Sequence, residues 1–246
     1  MFKIAAAQVA SVRGNLARNV QTHAAAIKVA AEHGVTVLVF PELSLIGYEL
    51  DLAADLALTK TDERLSSLAR LATVHGMTVI VGASLRTEGT LPALGAIVFS
   101  GDGPIHTYAK MHLGGVEPAY FAPGRQPLVV ATGREKVGVA ICADASNTSH
   151  PGSYAANGCT IYAVGVFMNS EWYSTDAPRL AACASRFRML VVMANHAESE
   201  GTDISVGRSA VWSPDGELLA EAAGVENSLI IATRNRDAWL GTQIPL

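Results

Sequence analysis

The sequence predicts an α/β protein in which β-sheets are layered with helices on the outside. Three observations carry that prediction. Strand-like runs alternate with amphipathic helical stretches early in the chain, and then consecutive strands take over. The strand-like runs are apolar almost without interruption, as expected of strands covered on both faces. The mean hydropathy, +0.27, comes from many Ala and Val residues and agrees with that. No linker, repeat or low-complexity tract divides the 246 residues, so one domain over 1–246 is expected.

Taken in order, residues 2–9 read as a first strand. Their apolar stretch is broken by Gln8 and leads into Arg13 and Arg18, unlike a signal peptide. Residues 15–33 read as an amphipathic helix with Asn15 as cap and Gly34 as terminator. The β-branched run 35–40 reads as a buried strand. A helix over 62–75, capped by Thr61 and stopped at Gly76, leads into a strand at 77–81. Residues 94–109 form a hairpin turning at Gly101-Asp102-Gly103-Pro104. The stretch 111–127 is rich in Gly and Pro, has no periodicity, and is long enough to suggest a functional loop. Two strands around Gly133 fill 128–142, followed by a short helix at 150–158 and a strand at 160–166. A helix over 176–188, a strand at 190–194, a hairpin at 209–220 and a last strand at 228–233 complete the reading.

Composition excludes several function classes. The net charge is −4, and no basic block exceeds a couple of residues, which argues against nucleic acid as a partner. No apolar run approaches the roughly 18 residues needed to cross a bilayer. Cys142, Cys159 and Cys183 are an odd count without pairing pattern, so a reducing, cytoplasmic setting is expected. The chain has no HExxH, no paired-cysteine spacing, no Gly-x-Gly-x-x-Gly and no Walker loop. Neither a metal nor a cofactor is expected.

Three residues stand out by position. Glu42 follows the apolar run Val35-Thr36-Val37-Leu38-Val39-Phe40 and Pro41. Lys110 ends the extended segment of Tyr108-Ala109. Cys142 closes Lys136-Val137-Gly138-Val139-Ala140-Ile141. A carboxylate, an ammonium and a thiol each end a buried strand, and strand ends are where reactive groups converge in layered α/β proteins. They lie too far apart in sequence to be a local motif, so only folding brings them together. A thiol with a pKa near ~8.5 needs a base or a positive field to attack a carbonyl or nitrile carbon. Glu42, with its pKa raised by burial, can be that base, and Lys110 can stabilise the oxyanion. Cys159 and Cys183 read as structural, and no histidine sits in a protease-like context.

These segments resemble the nitrilase superfamily of carbon–nitrogen hydrolases, over essentially the whole chain. Lys3-Ile4-Ala5-Ala6-Ala7-Gln8 is similar to its first strand. Phe40-Pro41-Glu42-Leu43-Ser44-Leu45-Ile46-Gly47-Tyr48 is similar to the block around its glutamate, and Tyr108-Ala109-Lys110-Met111-His112-Leu113 to its lysine block. Gly138-Val139-Ala140-Ile141-Cys142-Ala143-Asp144 is similar to its nucleophile block, and Ser213-Pro214-Asp215-Gly216-Glu217-Leu218-Leu219-Ala220 to its late hairpin. The resemblance implies a four-layer αββα sandwich of two mixed β-sheets flanked by helices, whose subunits pair as homodimers or higher homo-oligomers. It implies Glu42 as base, Lys110 as stabiliser and Cys142 as nucleophile. Glu117 matches a second glutamate that holds the lysine and orients substrate or water. The backbone N–H of Ala143 would complete the oxyanion site. The chain departs from the family where Ala143 replaces a Tyr or Trp. It departs again where Ala145-Ser146-Asn147-Thr148-Ser149-His150-Pro151 replaces an Arg-Phe-Pro-Glu-like stretch, and where Cys183-Ala184-Ser185-Arg186-Phe187 lacks a Glu-Asn pair.

The expected activity is hydrolysis of a small linear amide or carbamoyl compound through a thioester. The alternatives are nitrile hydrolysis, acyl transfer to an amine, or a catalytically idle interaction partner. Tyr48, Tyr120 and the segment from Phe167 through Trp172 to Tyr173 are candidates for an aromatic substrate wall. Glu171 and Asp176 are candidates for attracting a cationic substrate.

Overall fold

A computed structural model of the chain describes residues 1–198 and 204–246. Among the described residues the first half holds β1 (Lys3–Gln8), α1 (Leu16–Glu32), β2 (Val37–Val39), α2 (Ser66–His75), β3 (Thr78–Leu85), β4 (Ala93–Phe99) and β5 (His106–Ala109). The second half holds β6 (Val129–Thr132), β7 (Glu135–Ile141), α3 (Ser149–Ala156), β8 (Ile161–Gly165), α4 (Ser170–Phe187), β9 (Leu190–Ala194), β10 (Ala210–Trp212), β11 (Leu218–Glu221), β12 (Ser228–Asn235) and β13 (Ala238–Pro245).

The strands form two mixed sheets. One has seven strands in the order β13-β12-β1-β2-β3-β4-β5, with β1, β2 and β3 parallel and the flanking pairs antiparallel. The other has six in the order β11-β10-β9-β8-β7-β6, with β7, β8 and β9 parallel at its centre. Side chains alternate across a strand with period two, and the parallel strands use both faces. Val137, Val139 and Ile141 of β7, Ile161 and Ala163 of β8, and Leu190, Val192 and Ala194 of β9 enter the larger core shared with the seven-stranded sheet. Ala140, Tyr162, Val164, Val191 and Met193 point the other way, into a second core under α4 with Tyr173, Leu180 and Cys183. Leu16, Val20 and Ile27 of α1 and Leu68 and Leu71 of α2 join the larger core from outside the seven-stranded sheet. The result is the α/β sandwich expected from the sequence, with α1 and α2 covering one sheet and α3 and α4 the other.

Local signals explain the ends of most elements. The Asn15 side chain accepts a hydrogen bond from Arg18 N and caps α1. Asp62, not Thr61, caps the second helical segment, accepting from Arg64 N at a short 3-10 turn that leads into α2. The helix expected at 176–188 begins six residues earlier, because Asn169 accepts from Trp172 N and starts α4 at Ser170. Pro178 lies inside that helix. The last strand expected at 228–233 continues to Asn235 and is followed by β13, which sequence reading did not predict.

Two glycines let the sheets close on the loop after β2. A Cβ on Gly82 of β3 would lie 2.0 Å from the Pro41 carbonyl oxygen and 2.5 Å from Leu43 N. A Cβ on Gly165, at the end of β8, would lie 2.7 Å from the Phe40 carbonyl oxygen. Only glycine permits this approach, and it presses the Glu42 segment between the two sheets.

Candidate active site

Glu42, Lys110 and Cys142 each follow the C-terminal end of a strand: β2, β5 and β7. Folding brings all three together. Lys110 Nζ donates to Glu42 Oε1 at 2.7 Å and to Glu117 Oε1 at 2.7 Å, all three side chains being buried. Cys142 and Lys110 line one cavity of about 570 Å³ together with Tyr48, Glu117, Tyr120, Ala143 and Trp172. A groove of about 400 Å³ against α4 contains none of these groups, and the cavity at the strand ends is where the chemistry is concentrated.

Each carboxylate is fixed by further donors. Phe167 N donates to Glu42 Oε2 at 3.2 Å, and the Glu42 carbonyl is 2.7 Å from His196 Nε2. Tyr48 Oη donates to Glu117 Oε1 at 2.9 Å and Gly114 N to Glu117 Oε2 at 2.8 Å. Glu117 therefore holds Lys110 from one side while Glu42 approaches from the other. Burial pushes the Glu42 carboxyl up; Lys110 opposes this, the charge of Glu117 adds to it, and the result is a pKa of about 7. For Lys110, burial alone would favour the neutral amine, but the facing charges of Glu42, Cys142 and Glu117 outweigh it and hold the ammonium. Burial, reinforced by the Glu42 charge, pushes the Cys142 thiol up, with Lys110 opposing. The resting pair is thus a protonated thiol beside a carboxyl able to exchange its proton near neutrality.

Cys142 sits at φ +41°, in the left-handed region, at the start of a 3-10 turn over Cys142–Asp144. Such a conformation costs a non-glycine residue on the order of 1–3 kcal/mol and turns the side chain out from the strand end. Ala143, next in that turn, lines the cavity, and early N–H groups of a helical turn have no partner within it.

Of the expected substrate wall, Tyr48, Tyr120 and Trp172 line the cavity. Phe167 does not. It is buried behind the wall, with its ring stacked on Tyr48 at 4.6 Å and its N–H on Glu42. Tyr173 is not among the lining residues and packs into the second core. Asp176 lines the cavity, whereas Glu171 is exposed and is not among the lining residues.

Sequence reading missed several lining or supporting residues. Glu49 and Asp51 stand at the cavity and share Arg13, which reaches them at 2.9 and 2.8 Å. His196 supports the Glu42 backbone from just beyond β9, with no spacing signal to reveal it. Asp144, two residues past Cys142, is fully buried and heavily hydrogen-bonded. His112, Asp144 and His150 place one ligand-type atom each within 4.8 Å of one another, but those atoms are engaged with each other or with Tyr108 and Tyr162. Among the described residues, no helix is long and apolar enough to cross a membrane.

A family model described as carbon-nitrogen hydrolase matches residues 3–242. A glutamine-dependent NAD(+) synthetase of Thermotoga maritima is 32% identical, covering 96% of this chain and 42% of that protein. The chain thus spans less than half the length of that relative. A nitrilase of Pyrococcus abyssi is 27% identical over 84% of this chain and 79% of its own. Among solved structures, the NitN amidase of Nesterenkonia sp. AN1 superposes with a TM-score of 0.87 at 25% identity, covering 96% of this chain and 94% of that one. A variant of that amidase is described in complex with butyramide, at a TM-score of 0.85.

Proposed function

The chain belongs to the carbon–nitrogen hydrolase family, and from that premise we propose that it is an amidase-like enzyme cleaving a small linear amide or carbamoyl compound with Cys142 as nucleophile. The observation that carries the reading is Lys110 Nζ at 2.7 Å from both Glu42 and Glu117, on a cavity that Cys142 also lines. A lone buried ion pair would satisfy the lysine. A second carboxylate leaves one of the two free to carry protons.

In this mechanism the Cys142 sulfur attacks the carbonyl carbon while Glu42 takes the thiol proton. Lys110 and the Ala143 N–H receive the charge that develops on the carbonyl oxygen. Glu42 returns its proton to the leaving nitrogen, the C–N bond breaks, and ammonia or an amine departs. Water then attacks the thioester with Glu42 again as base, the C–S bond breaks, the departing sulfur takes that proton from Glu42 to restore the thiol, and the acid leaves as a carboxylate. Glu117 stays on Lys110 throughout. A carboxyl titrating at about 7 suits both halves, because it gives and takes protons at neutral pH.

Nitrile hydrolysis is the second reading, favoured by likeness to the Pyrococcus nitrilase. It needs the same residues and one further water. Acid released from a nitrile without turnover of the matching amide decides for it. We place the enzyme in the cytoplasm, consistent with three unpaired cysteines, as one domain over 1–246 that assembles as a homo-oligomer.

The test is ammonia release from short amides, ω-amides, carbamoyl amines and nitriles, with Cys142→Ala as control. Loss of nearly all turnover in a folded variant is expected. Iodoacetamide should label Cys142 fastest, with substrate slowing the reaction. Equal labelling of all three cysteines would instead indicate an idle interaction partner.

A further inference from the structure

Asp144 has no part in the chemistry above, yet it is among the most thoroughly bonded side chains in the molecule. Its exposure is 0%. Oδ1 accepts from Met111 N at 3.1 Å, His112 N at 2.9 Å and His112 Nδ1 at 3.1 Å. Oδ2 accepts from Ile141 N at 3.1 Å and Tyr108 Oη at 2.6 Å. These donors lie in or just after strands of two different sheets. Tyr108, Met111 and His112 flank Lys110 at the end of β5, the edge of the seven-stranded sheet. Ile141 ends β7 of the six-stranded sheet and immediately precedes Cys142. One carboxylate therefore bridges the backbone on both sides of the reactive pair.

A chain of hydroxyl and imidazole groups stands behind this carboxylate. Tyr108 Oη has a single proton, which goes to Asp144. His150 Nε2, 2.8 Å from the same oxygen, must then be the donor to it. That fixes the His150 tautomer and leaves Nδ1 to accept from Tyr162 Oη at 2.8 Å. Burial lowers the His150 pKa, against the pull of Asp144, which agrees with a neutral ring carrying one proton. The order is Tyr162 to His150 to Tyr108 to Asp144, each donating to the next. His150 and Tyr162 come from α3 and β8, so the chain also ties in the outer layer.

We propose that Asp144 is a positioning residue that sets the spacing between Cys142 and Lys110, and that Tyr108, His150 and Tyr162 hold it in the required orientation. The inference rests on the reading of Cys142 as nucleophile and Lys110 as its electrostatic partner. Two strand ends from separate sheets have no ladder hydrogen bonds between them, so their separation is otherwise set by side-chain packing. Misplacement by about an ångström of a reacting group can cost on the order of 100-fold in rate. Asp144→Asn keeps the shape but turns one acceptor into an N–H₂ that faces donors.

The experiment compares the wild type with Asp144→Asn, Tyr108→Phe and Tyr162→Phe. Each is assayed for kcat and KM on the best short amide, with active sites counted by a thiol-directed burst and folding followed by melting temperature. Asp144→Asn is expected to lose about 100-fold or more in kcat per titrated thiol, with KM within about threefold. Tyr108→Phe is expected to lose about tenfold, and Tyr162→Phe less, in the order of their distance from Asp144. A purely structural role predicts instead that melting temperature and the titratable fraction fall while kcat per titrated thiol stays at the wild-type value, and that result overturns the proposal. If Asp144→Asn does not fold, the two Phe variants decide by the same criterion. Cys142→Ala separates the two levels. Activity surviving in it removes the nucleophile reading itself, whereas an inactive Cys142→Ala beside an unimpaired Asp144→Asn removes only the positioning role.

Discussion

Lys110 carries its ammonium between two carboxylates at 2.7 Å each, so one of them can become neutral without leaving the ammonium unpaired. Glu117 is the more firmly held of the two, since Tyr48 and Gly114 also donate to it. Glu42 receives one backbone N–H besides Lys110 and is the group whose pKa burial raises to about 7. A prediction follows at the scale of this one residue. The base must be unprotonated to act, so kcat/KM should rise with pH through an acid limb near 7. The Glu117 charge is one of the causes that raise Glu42. Glu117→Gln removes it, so the limb should move to lower pH while the plateau falls because Lys110 has lost a partner. A pH–rate profile checks this, and an acid limb that stays put or moves upward contradicts the assignment of Glu42 as base. At this scale the sequence was partly legible. A charged or nucleophilic residue directly after an apolar run is visible without a structure, so Glu42, Lys110 and Cys142 could be singled out. Glu117 in its loop had no such signal, and only family resemblance pointed to it. The clamp at Asp144 was illegible, because its donors lie 32 to 36 residues away except for Ile141.

Among the elements, β2 and β3 show how backbone contacts rather than side chains set the geometry. The Glu42 segment is gripped by Gly82 and Gly165, one from each sheet, and Leu43 takes φ +51° to follow the turn. Gly82→Ala places a methyl group 2.0 Å from the Pro41 oxygen, against backbone that cannot rotate away. Overpacking of this kind costs about 1–3 kcal/mol, and it displaces the carboxylate as well. We expect Gly82→Ala to lower the unfolding free energy by that amount and to reduce kcat by a larger factor than the same methyl added on an exposed glycine. Denaturant titration and steady-state kinetics on both variants measure the difference, and unchanged kcat would show that the loop tolerates the shift. Elements were read well where the apolar pattern was strong, as in α1 and β9, whereas β3, expected at 77–81, continues to Leu85. Reading failed at α4, where Ser170 to Thr175 offer no apolar stripe and only the Asn169 cap marks the start. It failed at β13, an edge strand whose residues are mostly exposed, because neither a continuous apolar run nor a clean alternation marks it.

The whole molecule holds the site from both sides of the sandwich, and its pH response should reveal this. His23 of α1 and His196 after β9 lie buried on either side of the Glu42 loop, linked to it through Ser44, Ser11 and the Glu42 carbonyl. Burial lowers both to about 4. Their folded pKa lies below the unfolded value of 6.5, so the stability they represent is present above 6.5 and is lost as pH falls toward 4. One pKa unit corresponds to about 1.4 kcal/mol, so going from pH 7 to 5 costs about 2 kcal/mol at each histidine. Glu42 acts in the opposite sense. Its folded pKa of about 7 exceeds the ordinary carboxyl value of 4.5, so its contribution is fully present below 4.5 and disappears as pH rises through 7. Acidification from pH 7 to 5 therefore gains about 2 kcal/mol at Glu42, offsetting roughly half the loss at the histidines. Neither sheet order nor this opposition of buried groups could be read from the sequence, because both arise only when α1, β2 and β9 meet around one loop. The consequence is measurable without a substrate. The wild type should lose only a few degrees of melting temperature between pH 7 and 5. Glu42→Gln, which cannot take up the proton, should lose several degrees more over the same interval, since about 1 kcal/mol shifts a protein of this size by roughly 2–4 °C. Parallel curves for the two proteins would mean that Glu42 titrates alike in the folded and unfolded chain, and would remove the physical basis for its action as a base at neutral pH.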